Sequence, residues 1–387
     1  MPAVHGPVPT LLLALLLATG CGRQADFSSE LTDNPRNSAL DMQVHDLVTT
    51  YEQDLNTPGM VIGLLRNDST FVYGYGERRV GSGEVPDAHT FFEIGSITKV
   101  FTAIATQQWL DAQGLSVDAP VGDYLPADLP TLEREGSEVT FRHLMTHSSG
   151  LAYMPGNMGP RLYLDIDRAW ARYDSSQLYD CLRKEEPAHR PGDRWMYSNL
   201  AVGTLGTILE RNTGMAYGDL IATQICDPLG LGETRATLSA SEMERMSDGH
   251  VGRKAIDLWT DLNALDGAGV LRSTAADLLH FARANLDLPA STLGAAMQSC
   301  QQEHFVGPSD QDSAIHMGLG WVILNPGDSL RQAWFHDGGT GGFESNLLVF
   351  PGTRRALVVL MNSRAANKTQ TTARVAFLTR LAEELVE

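Results

Sequence analysis

Ser96 and Lys99, a serine and a lysine three residues apart, carry the strongest chemical signal in the sequence. They open an apolar run, residues 100–105, that predicts a buried helix, and residues three apart on a helix share one face. The lysine amine can therefore reach the serine hydroxyl without help from the rest of the fold. A serine at a helix N-terminus also faces free backbone N–H groups, which stabilise an alkoxide or an oxyanion. The pair predicts nucleophilic catalysis by serine with lysine as its base.

The same two residues have a structural interpretation. Serine is common at helix N-caps, and a lysine three residues later could lie in solvent. However, buried lysine without a function is uncommon, and the flanking apolar residues predict that this lysine is buried. Only Lys99 has a serine three positions before it among the lysines of the chain, which are Lys99, Lys184, Lys254 and Lys368. We therefore favour the catalytic interpretation.

Two further clusters contain residues suited to acyl transfer. In Tyr197-Ser198-Asn199, a phenol whose pKa is lowered by a nearby ammonium could pass a proton to a leaving group. The amide of Asn199 could hold a substrate carbonyl and position a lysine. Residues 336–342, which begin with His336, follow a predicted strand, and their glycines allow a substrate backbone to lie against the strand edge. Taken alone, the first cluster could be an ordinary turn and the second a glycine-rich hairpin.

Other catalytic or metal-binding arrangements are disfavoured. His143 and His147 are four residues apart, but no glutamate adjoins them in a zinc-protease pattern and no third ligand is recognisable, so we interpret both as structural and expect no metal. The absence of a Gly-X-Ser-X-Gly sequence disfavours an α/β-hydrolase. Beyond the N-terminal segment three cysteines remain, an odd number that matches no zinc spacing, and buried thiols are expected: Cys181, Cys226 and Cys300.

The N-terminus predicts export. Residues 11–18 form an apolar run too short to span a bilayer, and Ala18-Thr19-Gly20 precede Cys21 as in a bacterial lipoprotein cleavage site. We predict a signal peptide over residues 1–21 with lipidation at Cys21, and simple secretion is the alternative. Residues 22–40 are predicted to form a flexible tether. The net charge of -18 argues against nucleic acid or anionic membrane surfaces as partners, apart from the lipid anchor.

One domain is predicted over residues 41–387. Two apolar runs around residues 67–69 predict a β-hairpin, and strand-like runs are predicted at residues 330–336, 345–350 and 356–361. Helices are predicted from Ser96 to a cap at Gly114, over residues 201–213 and 274–286, and over residues 373–386. Strands at both ends and helices between them indicate an α+β fold. Its antiparallel sheet would be built from both termini, with a helical lobe inserted at about residues 115–325.

These clusters, in this order, resemble the penicillin-recognising serine hydrolases: class C β-lactamases, serine D-alanyl-D-alanine peptidases, D-aminopeptidases and related esterases. The resemblance covers the chain from about Thr57 to the C-terminus. Four other stretches resemble the family as well, namely residues 140–151, 228–231, 269–278 and 318–321. The resemblance implies the β-lactamase/transpeptidase-like fold, catalysis through an acyl-enzyme, and no cofactor.

The resemblance also implies roles for individual residues. Ser96 would be the acylated nucleophile, Lys99 a general base, and Tyr197 the residue that protonates the leaving group. Asn199 would bind the substrate amide. His336 would stand near the substrate carboxylate, in the position where class C β-lactamases have lysine. Gly338 and Gly339 would lie along the substrate, with the backbone N–H groups of Ser96 and Gly339 forming the oxyanion hole.

The third cluster departs from the class C pattern in two positions. His336 replaces a lysine, as in several peptidases and esterases of the family, and Asp337 stands where a hydroxyl residue often helps to bind a carboxylate. We therefore predict an envelope amidase, peptidase or esterase acting on small-molecule or peptide substrates with acyl-D-amino-acid-like character. The alternatives are a class C-like β-lactamase and a non-catalytic scaffold or binding protein on the same fold.

Overall fold

One antiparallel sheet of eight strands is drawn from both ends of the chain. The computed structural model describes residues 27–386 except 67, 160–169, 171, 252–253, 260–261 and 309–313. The strands of this sheet are β1 Gly59–Arg66, β2 Ser69–Gly76, β9 Phe305–Pro308, β10 Ala314–Met317, β11 Val322–Leu324, β12 Ala333–Gly339, β13 Glu344–Phe350 and β14 Arg355–Met361. Their order across the sheet is β2-β1-β14-β13-β12-β11-β10-β9.

The junction between the two ends of the chain lies at β1. Met60 on β1 is paired with Tyr75 on β2 and with Met361 on β14. Seven of the eight residues of β1 are buried, which fits a strand covered on both faces. The predicted hairpin and the predicted sheet from both termini are confirmed, although Asn67 of the hairpin turn lies outside the described residues.

Helices cover both faces of the sheet. Their bounds are α1 Ala39–Leu55, α2 Thr98–Gln113, α3 Phe141–Met145, α4 Ser175–Leu182, α5 Asn199–Thr213, α6 Tyr217–Ile221, α7 Asp227–Leu229, α8 Ala240–Glu244, α9 Asp266–Gly269, α10 Ala275–Leu286, α11 Thr292–Gln301 and α12 Lys368–Leu381. Apolar residues of α1 and α12 pack on one face. The inserted lobe, with the buried α2 and α5 at its centre, packs on the other.

Short strands and turns complete the lobe. Two-stranded pairs join β3 Phe92–Glu93 to β8 Arg272–Ser273 and β4 Glu133–Arg134 to β5 Ser137–Glu138. A three-stranded sheet contains β6 Gly249–Val251, β7 Lys254–Ile256 and β15 Ser363–Arg364. The β3–β8 pair holds the segment just before Ser96 against the segment just after α9, so two remote parts of the chain meet beside Ser96.

Two predicted boundaries differ from the structure. The predicted tether, residues 22–40, is not free from residue 27 onward: Phe27 is buried, and the Leu31 carbonyl accepts a hydrogen bond from the Gly76 N–H at 2.8 Å. Residues of this segment form hydrogen bonds with the outer edge of the sheet, which the polar composition of the segment did not predict. The helical lobe ends earlier than predicted, because β9, β10 and β11 extend the main sheet.

The remaining predicted elements agree with small shifts. The α-helix after Ser96 begins at Thr98, and Gly114 caps it in the left-handed conformation at φ 68°. The last helix begins at Lys368, five residues before its predicted start at residue 373. The three described cysteines are buried, as expected, and the structure shows each of them as a free thiol. Cys21 and the signal segment lie outside the described residues. Among the residues described, no helix has the length and apolar character needed to cross a membrane.

Candidate active site

Ser96 lies in a single 3₁₀ turn, Gly95–Ile97, immediately before α2. Gly95 has a φ of +48°, a conformation that glycine adopts without strain. A Cβ there would lie 2.8 Å from the Gly339 nitrogen, so the turn is held directly against the backbone of β12. The predicted proximity of the Ser96 and Gly339 backbones is therefore present in the fold.

Lys99 lies on the first turn of α2 with 1% of its surface exposed. Its Nζ is 2.9 Å from Ser96 Oγ, 2.8 Å from Asn199 Oδ1 and 2.6 Å from the Ala268 carbonyl oxygen. Burial lowers the pKa of Lys99 to about 7, and the charge of Asp337 opposes this shift. Near neutral pH the amine is therefore divided between its charged and uncharged forms.

The uncharged form has the geometry of a base. The Asn199 and Ala268 oxygens are carbonyl oxygens and can only accept hydrogen bonds, so they take the two N–H groups of a neutral amine. The lone pair then remains for the third neighbour, the Ser96 hydroxyl. This arrangement can remove the serine proton at the moment of attack.

Tyr197 is the second group beside the nucleophile. Its ring centroid lies 5.0 Å from Lys99 Nζ. Burial raises the pKa of Tyr197 well above its usual range, and an interaction with the Ser96 hydroxyl opposes the rise only in part. The expected lowering of this pKa by the ammonium is therefore wrong, because desolvation of the phenolate outweighs it. Tyr197 keeps its proton and can deliver it to a departing group.

His147 stands behind Tyr197, and sequence reasoning assigned it no part in the site. The two ring centroids are 4.3 Å apart. The Ser198 N–H donates to His147 Nδ1 at 3.2 Å, so the proton of the neutral ring is on Nε2. Burial, then the charges of Lys99 and His336, hold the pKa of His147 well below its usual range. The one signal in the sequence was its place in the family-like stretch 140–151.

His143 is separate from this group. Its Nδ1 accepts a hydrogen bond from the Thr140 N–H at the start of α3, which is the structural use that the sequence predicted. In the described part of the chain, no group of three or more His, Cys, Asp or Glu side chains is arranged to hold a metal ion.

Asn199 begins α5, where the Ser198 hydroxyl caps the helix by accepting from the Ala201 N–H at 2.9 Å. This cap fixes the direction of the amide. Its oxygen is engaged by Lys99, and its nitrogen is 3.5 Å from Met154 Sδ. A sulfur atom is a weak acceptor, and the Asn199 side chain also interacts with the Tyr153 hydroxyl, which opposes the rise in the pKa of Tyr153.

β12 forms the side of the site that packs against the turn containing Ser96. In the described structure β11 pairs with residues 333–335 of this strand, so the same edge is unpaired from His336 onward. His336 is buried and donates from Nδ1 to the Asp337 carbonyl oxygen at 2.6 Å. Burial, then the charge of Lys99, lowers the pKa of His336 to about 3, so the ring is neutral and cannot replace a lysine ammonium.

Gly338 and Gly339 have different surroundings. A Cβ on Gly338 would overlap the Ile94 carbonyl oxygen and Ser345 Oγ, whereas a Cβ on Gly339 would meet no atom within 4 Å. Gly338 therefore allows β12 to approach the segment before the nucleophile, and Gly339 faces open space. The residues around Ser96 and those of β12 therefore come together, with Gly95 against Gly339 and Ile94 against Gly338.

A family model described as Beta-lactamase matches residues 44–380. The chain belongs to the β-lactamase family. It is a serine hydrolase with the α+β fold of that family, as the sequence resemblance implied.

Several relatives of the family are similar along most of the chain. A "Beta-lactamase" of Escherichia coli K12 is 23% identical, with 92% of this chain and 95% of the relative covered. The D-alanyl-D-alanine-carboxypeptidase/endopeptidase AmpH of the same organism is 26% identical, covering 79% of this chain and 80% of the relative. Penicillin-binding protein 4* of Bacillus subtilis is 26% identical, covering 79% of this chain and 68% of the relative.

Solved structures show the same fold. A β-lactamase/D-alanine carboxypeptidase of Yersinia pestis superimposes with a TM-score of 0.72 at 22% identity, covering 88% of this chain and 98% of that one. A protein of the same description from Pseudomonas syringae gives a TM-score of 0.73 at 21% identity, with 88% and 99% covered.

Proposed function

We propose that this β-lactamase-family hydrolase cleaves amides or esters through an acyl-enzyme on Ser96. The observation that carries the proposal is the placement of Lys99, whose two N–H groups have fixed carbonyl acceptors while its lone pair meets the Ser96 hydroxyl. A pKa of about 7 makes the free base accessible at neutral pH. A scaffold protein would have no use for a buried lysine of this kind, which disfavours the non-catalytic alternative.

Acylation follows from these contacts. Ser96 Oγ attacks the substrate carbonyl carbon as its proton passes to Lys99 Nζ. The resulting oxyanion accepts hydrogen bonds from the backbone N–H groups of Ser96 and Gly339, and one such donor contributes about 3 kcal/mol. Tyr197 gives its proton to the leaving nitrogen or oxygen as the carbon–leaving-group bond breaks, and it regains a proton from Lys99.

Deacylation reverses these transfers. A water molecule gives a proton to the Lys99–Tyr197 pair and attacks the acyl carbon. The bond to Ser96 Oγ breaks, the serine recovers a proton, and the carboxylic acid departs. The chain's own side chains and backbone suffice for both steps, so no cofactor is proposed.

For the substrate we propose small molecules or peptides of acyl-D-amino-acid-like character, with D-Ala-D-Ala carboxypeptidase-like or esterase activity. The relative named as a carboxypeptidase/endopeptidase supports this choice, and so does the neutral His336 in the lysine position. A class C-like β-lactamase is the second candidate, favoured by the relatives named β-lactamase. We also propose export to the bacterial envelope with a lipid anchor at Cys21, simple secretion being the alternative.

Covalent labelling tests the nucleophile. A fluorophosphonate or labelled penicillin should modify the wild-type protein and the exposed-serine control Ser241→Ala, and should not modify Ser96→Ala. Equal labelling of wild type and Ser96→Ala would disprove the assignment. Turnover of nitrocefin at the rate of an efficient lactamase would favour the second candidate. Metabolic labelling with a fatty acid, lost in Cys21→Ser, tests the anchor.

A further inference from the structure

Asp337 places a carboxylate on the cleft wall. It lies on β12 two residues before Gly339, and side chains two apart on a strand share one face. The Cβ position of Gly339 opens to free space, so this face of the strand borders the cleft. His336 and Gly338, on the other face, are buried.

The charge of Asp337 acts on the active-site groups. It raises the pKa of Lys99 and contributes to the raised pKa values of Tyr197 and Tyr153. Burial raises the pKa of Asp337 itself to about 6; its own backbone N–H lowers it, Glu344 on β13 raises it, and Lys99 lowers it. Above that pH the carboxylate is ionised.

This carboxylate lacks a side-chain partner. Within the described residues, no hydrogen bond or ion pair joins it to another side chain, and the interactions that shift its pKa are with its own backbone N–H, Glu344 and Lys99. The Lys99 amine is held by Ser96, Asn199 and Ala268.

Apart from the protonated form of Lys99, which lowers the pKa of Asp337, the ionisable groups around this carboxylate do not compensate its charge. Glu344 is itself paired with Arg374 at 2.8 Å. The depressed pKa values of His336 and His147 keep both rings neutral. The cleft therefore presents an ionised acid where a carboxylate-binding site would need a cation.

We infer that Asp337 is a specificity determinant that selects substrates bearing a protonated amine and disfavours those bearing a carboxylate at the same position. The inference rests on the proposed acyl transfer at Ser96. Asp337 precedes Gly339 by two positions on the strand, so the amine would lie roughly 7 Å along the strand from the carbonyl under attack. An ammonium there would form a charge-assisted hydrogen bond with the acid, whereas a carboxylate would be repelled.

Two series of matched esters test this selectivity. One varies the acyl chain and keeps a p-nitrophenyl leaving group; the other keeps an acetyl group and varies the alcohol. Each series has three members of equal chain length that end in an ammonium, a hydroxyl or a carboxylate. The ratio of kcat/KM for the ammonium and carboxylate members is measured for wild type, Asp337→Asn and the control Asp287→Asn. Asp287 is an exposed acid at the end of α10. It binds Arg354, which lies in the turn between β13 and β14.

In wild type the ammonium member should be preferred in at least one series. Asp337→Asn should reduce that ratio by about tenfold or more, as expected for a hydrogen bond to a charged group, and Asp287→Asn should not. An unchanged ratio in both series would overturn the inference. The hydroxyl members separate this failure from failure of the proposed function: if wild type hydrolyses them and Ser96→Ala does not, only the selectivity is refuted. If wild type hydrolyses no member of either series, both the proposed acyl transfer at Ser96 and the proposed selectivity of Asp337 are refuted.

The pH dependence of the same ratio gives a second readout. As the pH falls through about 6, Asp337 becomes protonated, so the preference for ammonium should decline in wild type. The decline should be smaller in Asp337→Asn, where the charge of Lys99 acts on the ratio without that of Asp337. A wild-type ratio that stays constant between pH values on either side of 6 would also count against Asp337.

Discussion

The Nζ of Lys99 lies 2.8 Å from the Oδ1 of Asn199, joining two residues 100 positions apart in the sequence. Lys99 follows Ser96 on α2, and Asn199 begins α5, so this contact joins the two buried helices of the lobe. The contact also orients both partners. It holds the amine toward Ser96 and directs the nitrogen of the amide toward Met154.

The rate of acylation should depend on the free base of Lys99. Since burial lowers the pKa of Lys99 to about 7, kcat/KM should fall as the pH decreases through that value and the amine takes up a proton. Lys99→Arg, whose guanidinium remains charged, should lower kcat/KM by about 10²–10⁴-fold. Steady-state kinetics over a range of pH measure both effects.

Two comparisons make this test specific. Lys368→Arg, an exposed position on α12, should leave the pH profile unchanged. Asp337→Asn removes a charge that raises the pKa of Lys99, so its acid limb should move to lower pH. An acid limb in the same place in all three proteins would argue against Lys99 as the titrating base.

The sequence predicted the parts of the site that depend on local geometry. Ser96 and Lys99 meet because they are three residues apart on one helical turn, and strand periodicity is sufficient to place residues 336–339 along an edge. The β1–β2 hairpin and the strands β12, β13 and β14 also followed from the apolar runs at both ends of the chain, whereas β9, β10 and β11 did not. Each of these features is determined within a short window of sequence.

The remaining features depend on contacts between distant residues. The Ala268 carbonyl that fixes the Lys99 amine is 169 positions away and belongs to the backbone, so no side-chain pattern marks it. The pKa of Tyr197 was predicted in the wrong direction, because the proximity of an ammonium was inferred whereas the burial that dominates was not visible. The packing of residues 27–38 was missed since their polar groups bond to the edge of the sheet.

Tyr197 and His147 should act as a unit. Tyr197→Phe removes the proton donor and should lower kcat by about 10²–10⁴-fold. His147→Ala removes the ring that lies 4.3 Å from the Tyr197 ring and should lower kcat by displacing the phenol. Because both changes damage one function, the double variant should be little worse than Tyr197→Phe alone.

The double-mutant cycle in kcat is accompanied by thermal unfolding of each variant. His143→Ala is the matched control, since His143 bonds to the start of α3 and not to Tyr197. It should leave kcat close to that of wild type. Fully additive losses for His147→Ala and Tyr197→Phe would show that His147 supports the fold and not the position of the phenol.

Adjacent glycines on β12 should respond differently to alanine. In Gly338→Ala the new methyl group would overlap the Ile94 carbonyl, which cannot withdraw without moving the turn that carries Ser96. We expect a loss of about 1–3 kcal/mol in the free energy of unfolding and reduced labelling of Ser96 by a fluorophosphonate. Gly339→Ala has open space and should change that free energy by less than about 0.5 kcal/mol. Denaturant titrations of the two variants measure these changes, and equal losses in the free energy of unfolding would contradict the assigned packing.

The ion pair between the buried Arg374 and the partly exposed Glu344 should stabilise the C-terminal helix more than a surface pair does. Arg374 is 2% exposed, and its guanidinium also donates to the Leu55 and Ser363 carbonyl oxygens at 3.0 and 2.8 Å. Arg374→Met removes the donor to those oxygens and leaves the Glu344 carboxylate with the Ala365 N–H but without a cation, so the free energy of unfolding should fall by about 3–5 kcal/mol. Arg380→Met, on the same helix but about half exposed, should cost at most about 1 kcal/mol. Urea titrations compare the two, and similar losses would mean that the Arg374–Glu344 pair contributes no more than a surface one.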